Sequence, residues 1–457
     1  MSQSKFLHES KLLGKLSLPI VIGQVGQNLI TLADTIMVGA LGSVALGASA
    51  FAGSVYIIFL IFGIGLLSPL AALFARVQGQ ENYPYGGVLL KHSVAIAFGV
   101  SAFIIGVLYI ILHNLALFGQ RPEVLTMAAP FFEIIAWTVL PSLMYQAYKQ
   151  FTDGIGKTKV AMSVMIFGVI LNIILNYLLI HGLYGFPKLG LNGSAYATLI
   201  ARTLMALILM AYVHLHPHFK HYLTERWTHR FDHHLMKNIL RLGIPNGFTY
   251  LFEVAAFSSA AVMMGWFGAT PLAAHQITIS LASTSFLVTM GVGIAASIRV
   301  GYELGRGDYS LARFAGFTAI KLAAGYMSLC AVGFFFLRNW FPTLYVNDAD
   351  VISWAAKFLV VVAIFEIFDG IQAVAVGGLR GLSDTQWPSL IAFFAYWIMG
   401  LPLGYWLAFH GGVGPVGIWI GLLIGLIFAS VLLTWRFHVL SARFAASPSR
   451  VVDTAEA

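Results

Sequence analysis

Charge is scarce in this chain. Acidic and basic residues make up only 10% of its 457 residues while hydrophobic ones reach 59%, which leaves too little polar surface to cover a water-soluble globule of this size. Cysteine is nearly absent as well: Cys330 stands alone in an apolar run, so an intrachain disulfide is excluded and Cys330 reads as a small core residue. Hydrolytic signatures are missing, with neither an HExxH helix nor a GxSxG elbow, and no enzymatic activity is expected. The net charge of +8 comes from basic residues scattered singly between apolar runs, without the stripe or stacking module of a nucleic-acid binder.

What is abundant is apolar sequence of spanning length. Runs suited to cross a bilayer cover 16–38, 46–72, 92–115, 125–147, 160–181, 193–214, 239–265, 272–297, 315–337, 353–376, 388–409 and 415–437, each near the roughly 20 residues one crossing needs. The expected fold is therefore an all-α integral membrane protein of twelve transmembrane helices. Lys5, Lys11 and Lys15 precede the first run without a cleavage site, so it reads as a retained span. Of 26 lysines and arginines, 21 fall on the side of the two termini, which by the positive-inside rule makes both termini cytoplasmic.

The sequence also repeats. An offset of 226 superimposes Lys15, Leu16 and Pro19 on Arg241, Leu242 and Pro245, and Gly39, Gly42 and Leu46 on Gly265, Gly268 and Leu272. Gly79, Asn82 and Tyr83 likewise fall on Gly305, Asp308 and Tyr309, and near an offset of 227 the loop from Gly154 to Thr158 meets Gly381 to Thr385. Six crossings separate equivalent points, so the halves enter the membrane in the same direction and are related by an axis along its normal. The expected organisation is an N-lobe over 1–213, a cytoplasmic linker over 214–234, a C-lobe over 235–440 and a disordered tail over 441–457.

A charge inside a span costs at least about 2.5 kcal/mol on insertion scales, so such residues are functional candidates. They are Asp34, Glu133, Arg202, Glu253, Glu366 and Asp369. Asn172 and Asn176, four apart, share one face of the fifth span, and Thr198 lies just inside the sixth. Depth counting puts Asp34, Asn176 and Thr198 at similar levels, and Glu253 and Asp369 near the midplane. One carboxylate with amide and hydroxyl oxygens suits Na+, and the same carboxylate suits a proton; the residues alone leave both open. The bland alternatives are interhelical hydrogen bonds for the asparagines and Thr198, and for the acids an ion pair, for which Arg202 is the available basic partner in the membrane. Glu133 and Glu366 are weaker candidates that could lie near an interface. The glycines between Gly291 and Ala296 imitate a dinucleotide fingerprint, but inside a span they read as close helix packing. His214, His216, His218 and His221 read as a solvated loop rather than a metal site. Some of the many aromatic and methionine side chains would line a cavity for organic cations.

Several segments together resemble the multidrug and toxic compound extrusion transporters, in their bacterial NorM-like branch: LADTIMVGALGSVALGASA, ARVQGQENY, LNIILNYLLI with GLNGSAYAT, AAHQITI and IRVGYELGRGDY. The resemblance covers nearly the whole chain. It implies two pseudo-symmetric six-helix lobes forming a V in the bacterial inner membrane, and alternating access that exports cationic amphipathic drugs and dyes against Na+ or H+. By motif position it assigns Asp34, Asn172, Asn176 and Thr198 to a cation site of the N-lobe, and Glu253 and Asp369 to that of the C-lobe. Phe365, Glu366 and Gln276 are secondary candidates for substrate contact. Phe365 stands where the family pattern has a tyrosine one turn before the aspartate, which removes a hydroxyl oxygen from the C-lobe site. No cofactor is expected beyond the coupling ion, and a monomer is the expected state. A flippase for a lipid-linked precursor is the rival reading, disfavoured because five intramembrane acids face Arg202 alone; an intramembrane lipid-modifying enzyme is the second rival.

Overall fold

The computed structural model describes residues 3–223 and 231–446, and twelve of its helices are long and apolar enough to cross a membrane. In chain order they are α1 (Gln3–Gly39), α2 (Ser43–Gly79), α3 (Tyr83–Leu112), α4 (Pro122–Gly154), α5 (Thr158–His181) and α6 (Leu191–Leu215). The second six are α7 (His233–Gly265), α8 (Ala269–Gly305), α9 (Tyr309–Phe336), α10 (Ala349–Gly381), α11 (Gln386–Phe409) and α12 (Val416–Ala446).

Most helices outrun their apolar windows, and in α8 the charged residues beyond the window find partners. In α8, Arg299 Nε and Nη2 donate to the two carboxylate oxygens of Glu9 at 2.7 and 2.9 Å, and Nη1 meets Glu303 at 2.8 Å. Glu9 is only 2% exposed, so a buried acid clasps α1 onto α8. The expected disordered tail is corrected in part: residues 441–446 continue α12, and 447–457 lie outside the described residues. Cys330 is half-buried rather than a core residue.

Prolines shape the helices where function gathers. Pro69 has no N–H to offer the Gly65 carbonyl, α2 breaks between Leu67 and Leu70, and the freed carbonyl accepts from Asn246 Nδ2 at 2.5 Å. Pro141 acts similarly on α4, which breaks at Thr138; the Thr138 hydroxyl, a hydrogen-bonding group inside the span, donates to the Ile135 carbonyl at 2.6 Å.

The internal repeat recurs in backbone detail. Gly42 and Gly268, ahead of α2 and α8, have φ of 107° and 110°, a conformation that only glycine adopts without strain. Contacts divide the chain into two compact units, one of residues 22–247 and the other of 1–21 with 248–457. The division therefore does not fall at the linker. It falls within α1 and within α7, just after Pro19 and Pro245, and the two breaks are 226 residues apart (247 − 21), the offset of the repeat.

Within the second unit, α8 and α10 cross closely: a Cβ on Gly377 would lie 2.1 Å from the Gly293 carbonyl oxygen. That is the packing role expected of the fingerprint-like glycines. The start of the linker is anchored by two aromatic side chains, while His216, His218 and His221 are exposed as expected of a solvated loop. Phe219 and Tyr222 are 1% and 2% exposed, the Tyr222 hydroxyl donates to Gln78 Oε1, and His214, His216 and His221 pack against tyrosine rings. Asp232 caps the start of α7, and the backbone N–H groups of His234 and Leu235 hold its carboxyl below the usual carboxylate range.

Candidate functional site

In the unit of residues 22–247, three helices, α1, α5 and α6, meet at one carboxylate. Asp34, near the end of α1 and half-buried, accepts from Asn176 Nδ2 at 2.5 Å through Oδ1 and from the Thr198 hydroxyl at 3.1 Å through Oδ2. Asn172 Nδ2 donates to Thr198 Oγ1 at 3.2 Å, and Asn172 Oδ1 accepts from Asn176 Nδ2 at 3.1 Å. Both asparagines are fully buried, as the spacing of four on α5 requires if both face the cluster. Asn176 Oδ1 is buried without a hydrogen-bond partner. An orphan acceptor beside a carboxylate is costly in a low-dielectric setting unless something with positive charge satisfies it.

Arg202 lies one turn beyond Thr198 on α6, and its charge reaches Asp34 through space. It forms no contact ion pair among the described residues. Its Nη1 donates instead to Tyr56 of α2 and, at 3.0 Å, to Ser142 of α4. The Tyr56 and Thr138 hydroxyls are 2.7 Å apart. The guanidinium is thus held by hydroxyls at the break in α4, and Asp34 keeps only neutral hydrogen-bond partners.

The unit of residues 248–457 has its own acidic cluster. Glu366 of α10 is fully buried; its Oε2 accepts from Ser285 of α8 at 2.5 Å, and its Oε1 has no partner. Asp369, one turn away, is 6% exposed and within electrostatic reach of both Glu366 and Glu253 of α7. Tyr396 of α11 faces Glu253 and Asp369 and donates to Gln372 at 3.0 Å. It sits in a π-helical stretch from Phe394 to Gly400, an irregularity common at functional sites. Three carboxylates grouped without a basic ion-pair partner among the described residues repel one another when ionised, and holding a cation or a proton relieves that repulsion.

The secondary candidates separate. Phe365 is buried, edge-on to Trp419 at 5.8 Å between ring centroids, so its ring belongs to the packed interior of its own unit. Gln276 is on the exposed side of α8. Glu133 is exposed and accepts a long 3.4 Å bond from Tyr109. Sequence reasoning missed His275, which is fully buried against Trp419 with neither ring nitrogen bonded; a lone histidine in an apolar run was the available signal. It also missed Ser285 and Tyr396, whose hydroxyls are too ordinary in such helices to stand out.

The sequence model of the MatE family matches residues 19–178 and 245–406. A probable multidrug resistance protein NorM of Brucella suis biovar 1 is 36% identical over 436 residues, spanning 93% of this chain and 92% of the relative. The multidrug resistance protein NorM of Burkholderia vietnamiensis is 35% identical over 446 residues, 95% of each chain. Among solved structures, the Vibrio cholerae MATE transporter VcmN in its bent form superimposes with a TM-score of 0.87 at 20% identity, covering 96% of this chain and 99% of that one. Two family-matching segments, relatives over almost the full length and twelve spanning helices arranged in the same fold agree: the chain belongs to the MatE family and is a NorM-like multidrug and toxic compound extrusion transporter, not an enzyme.

Proposed function

We propose that the protein exports amphipathic organic cations in exchange for H+ or Na+, with Asp34 as the switch between substrate and coupling ion. The observation that supports this most directly is the shell around Asp34: one carboxylate, only neutral hydrogen-bond partners, and an unsatisfied Asn176 Oδ1 beside it. Ionised Asp34 attracts a cationic drug. A proton on it, or Na+ held by Asp34, Thr198 and turned amide oxygens of Asn172 and Asn176, cancels that attraction and releases the drug. Neutralisation then permits the return of the empty carrier, because a ligand shifts an equilibrium only by its differential affinity for two states.

In this reading Glu253, Glu366 and Asp369 form a second cation-responsive cluster, with Ser285 orienting Glu366. Two six-helix lobes alternate access, both termini face the cytoplasm of a bacterial cell, and a monomer suffices because each cluster is built within one chain. Phe365 adds no hydroxyl to the second cluster, and the two hydroxyls there are engaged as donors, Ser285 to Glu366 and Tyr396 to Gln372, so protons are its simpler partner.

The test is ethidium efflux from cells carrying the protein, with the proton and Na+ gradients collapsed separately. Arrest on loss of one gradient alone identifies the coupling ion. Export that continues with both gradients collapsed, or no export under either, overturns the proposal.

A further inference from the structure

In the same unit, α9, α10 and α12 leave an open groove of about 450 Å3 whose lining includes none of the three acids. Its walls are Phe317 of α9, Phe368 and Ile371 of α10, and Val431, Thr434 and Trp435 of α12. Val431 is 57% and Trp435 61% exposed on a membrane-spanning helix, so the groove opens towards hydrocarbon.

One end is positive. Arg313, near the start of α9, lies over the Phe317 ring at 5.6 Å and donates through Nη1 to the His438 carbonyl at 3.2 Å and through Nη2 to its ring at 3.0 Å. Neither Arg313 nor Lys321, two turns further along the same face of α9, has a carboxylate within ion-pair distance among the described residues. One turn inward from His438, Thr434 lines the groove with a buried hydroxyl that has no partner. From the helix ends inward Arg313 comes first, then the Thr434 hydroxyl, unsatisfied among the described residues, then the apolar trough, with Lys321 two turns inward along α9. That is the order of phosphate, glycerol ester and acyl chain in a phospholipid.

We propose that this groove binds one anionic phospholipid, its phosphate on Arg313 with Lys321 reaching back along the helix, its ester at Thr434 and a chain along Ile371 and Val431. A zwitterionic lipid offers the same phosphate but brings its own cation beside it, so it adds no net negative charge against Arg313 and Lys321.

Native mass spectrometry of the full-length protein in detergent, with added phosphatidylglycerol or phosphatidylcholine, tests this independently of transport. The expected result is preferential retention of phosphatidylglycerol, reduced about fivefold by Lys321→Gln and further by Arg313→Gln. Val431→Trp, at an exposed position, should displace the chain and also reduce retention. Lys321 has no hydrogen bond or ion pair among the described residues, so Lys321→Gln remains informative if Arg313→Gln misfolds. Equal retention of the two lipids, or undiminished retention of phosphatidylglycerol by both Lys321→Gln and Val431→Trp, overturns the proposal.

Discussion

Asp34→Asn lowers gradient-driven ethidium export by about fivefold to 150-fold while the amount of protein in the membrane stays unchanged. Asparagine has nearly the shape of aspartate; its oxygen still accepts from Asn176 Nδ2, and its amide NH2 can donate to the Thr198 hydroxyl, which turns from donor to acceptor, so folding has little reason to suffer. What it loses is the ability to be charged in one state and neutral in another. Coupling free energies between two sites are typically about 1–3 kcal/mol, so removing the switch costs between about fivefold and 150-fold in export rate. Efflux assayed in cells matched for membrane-inserted protein checks this, and full export by the variant would remove Asp34 from the mechanism.

Asp369→Asn should weaken export about tenfold or more, with a shift in its pH profile that a packing defect would not produce. Asp369 feels both Glu253 and Glu366, so neutralising it removes the member through which the other two interact. The remaining acids then lose a like-charged neighbour, so the pH dependence of export changes. Measuring efflux across pH separates the cases: a uniform loss at every pH would mean that Asp369 only supports packing.

Much of the first cluster was legible because its geometry is local. Asn172 and Asn176 stand one turn apart, and a depth count along straight helices brings Asp34 and Thr198 to the same level, where the hydrogen bonds join them. Twelve spans were legible from apolar run length, since a bilayer imposes that length whatever the packing. The hydroxyl groups were not. Tyr56, Thr138 and Ser142 come from two helices and meet Arg202 only because α4 breaks at Thr138, and no pattern in the chain announces that convergence.

The clasp between Glu9 and Arg299 was hidden differently. Glu9 stands in the polar approach to the first apolar run, where an acid ordinarily meets water, and only the folded chain shows it buried against α8. The same holds for the division of the chain into units. Hydropathy marks the polar linker as a boundary, whereas contacts part within α1 and α7, where continuous helices conceal the change of neighbours.

The central claim is competition for a carboxylate, and the most direct test is ion release on substrate binding. Purified protein in weakly buffered detergent solution would receive tetraphenylphosphonium while a pH-indicator dye follows protons and radioactive Na+ follows sodium. The account predicts that bound substrate expels H+ or Na+ from the wild-type protein, and that Asp34→Asn releases less. Substrate binding with no ion released, or the same release from Asp34→Asn, would contradict it.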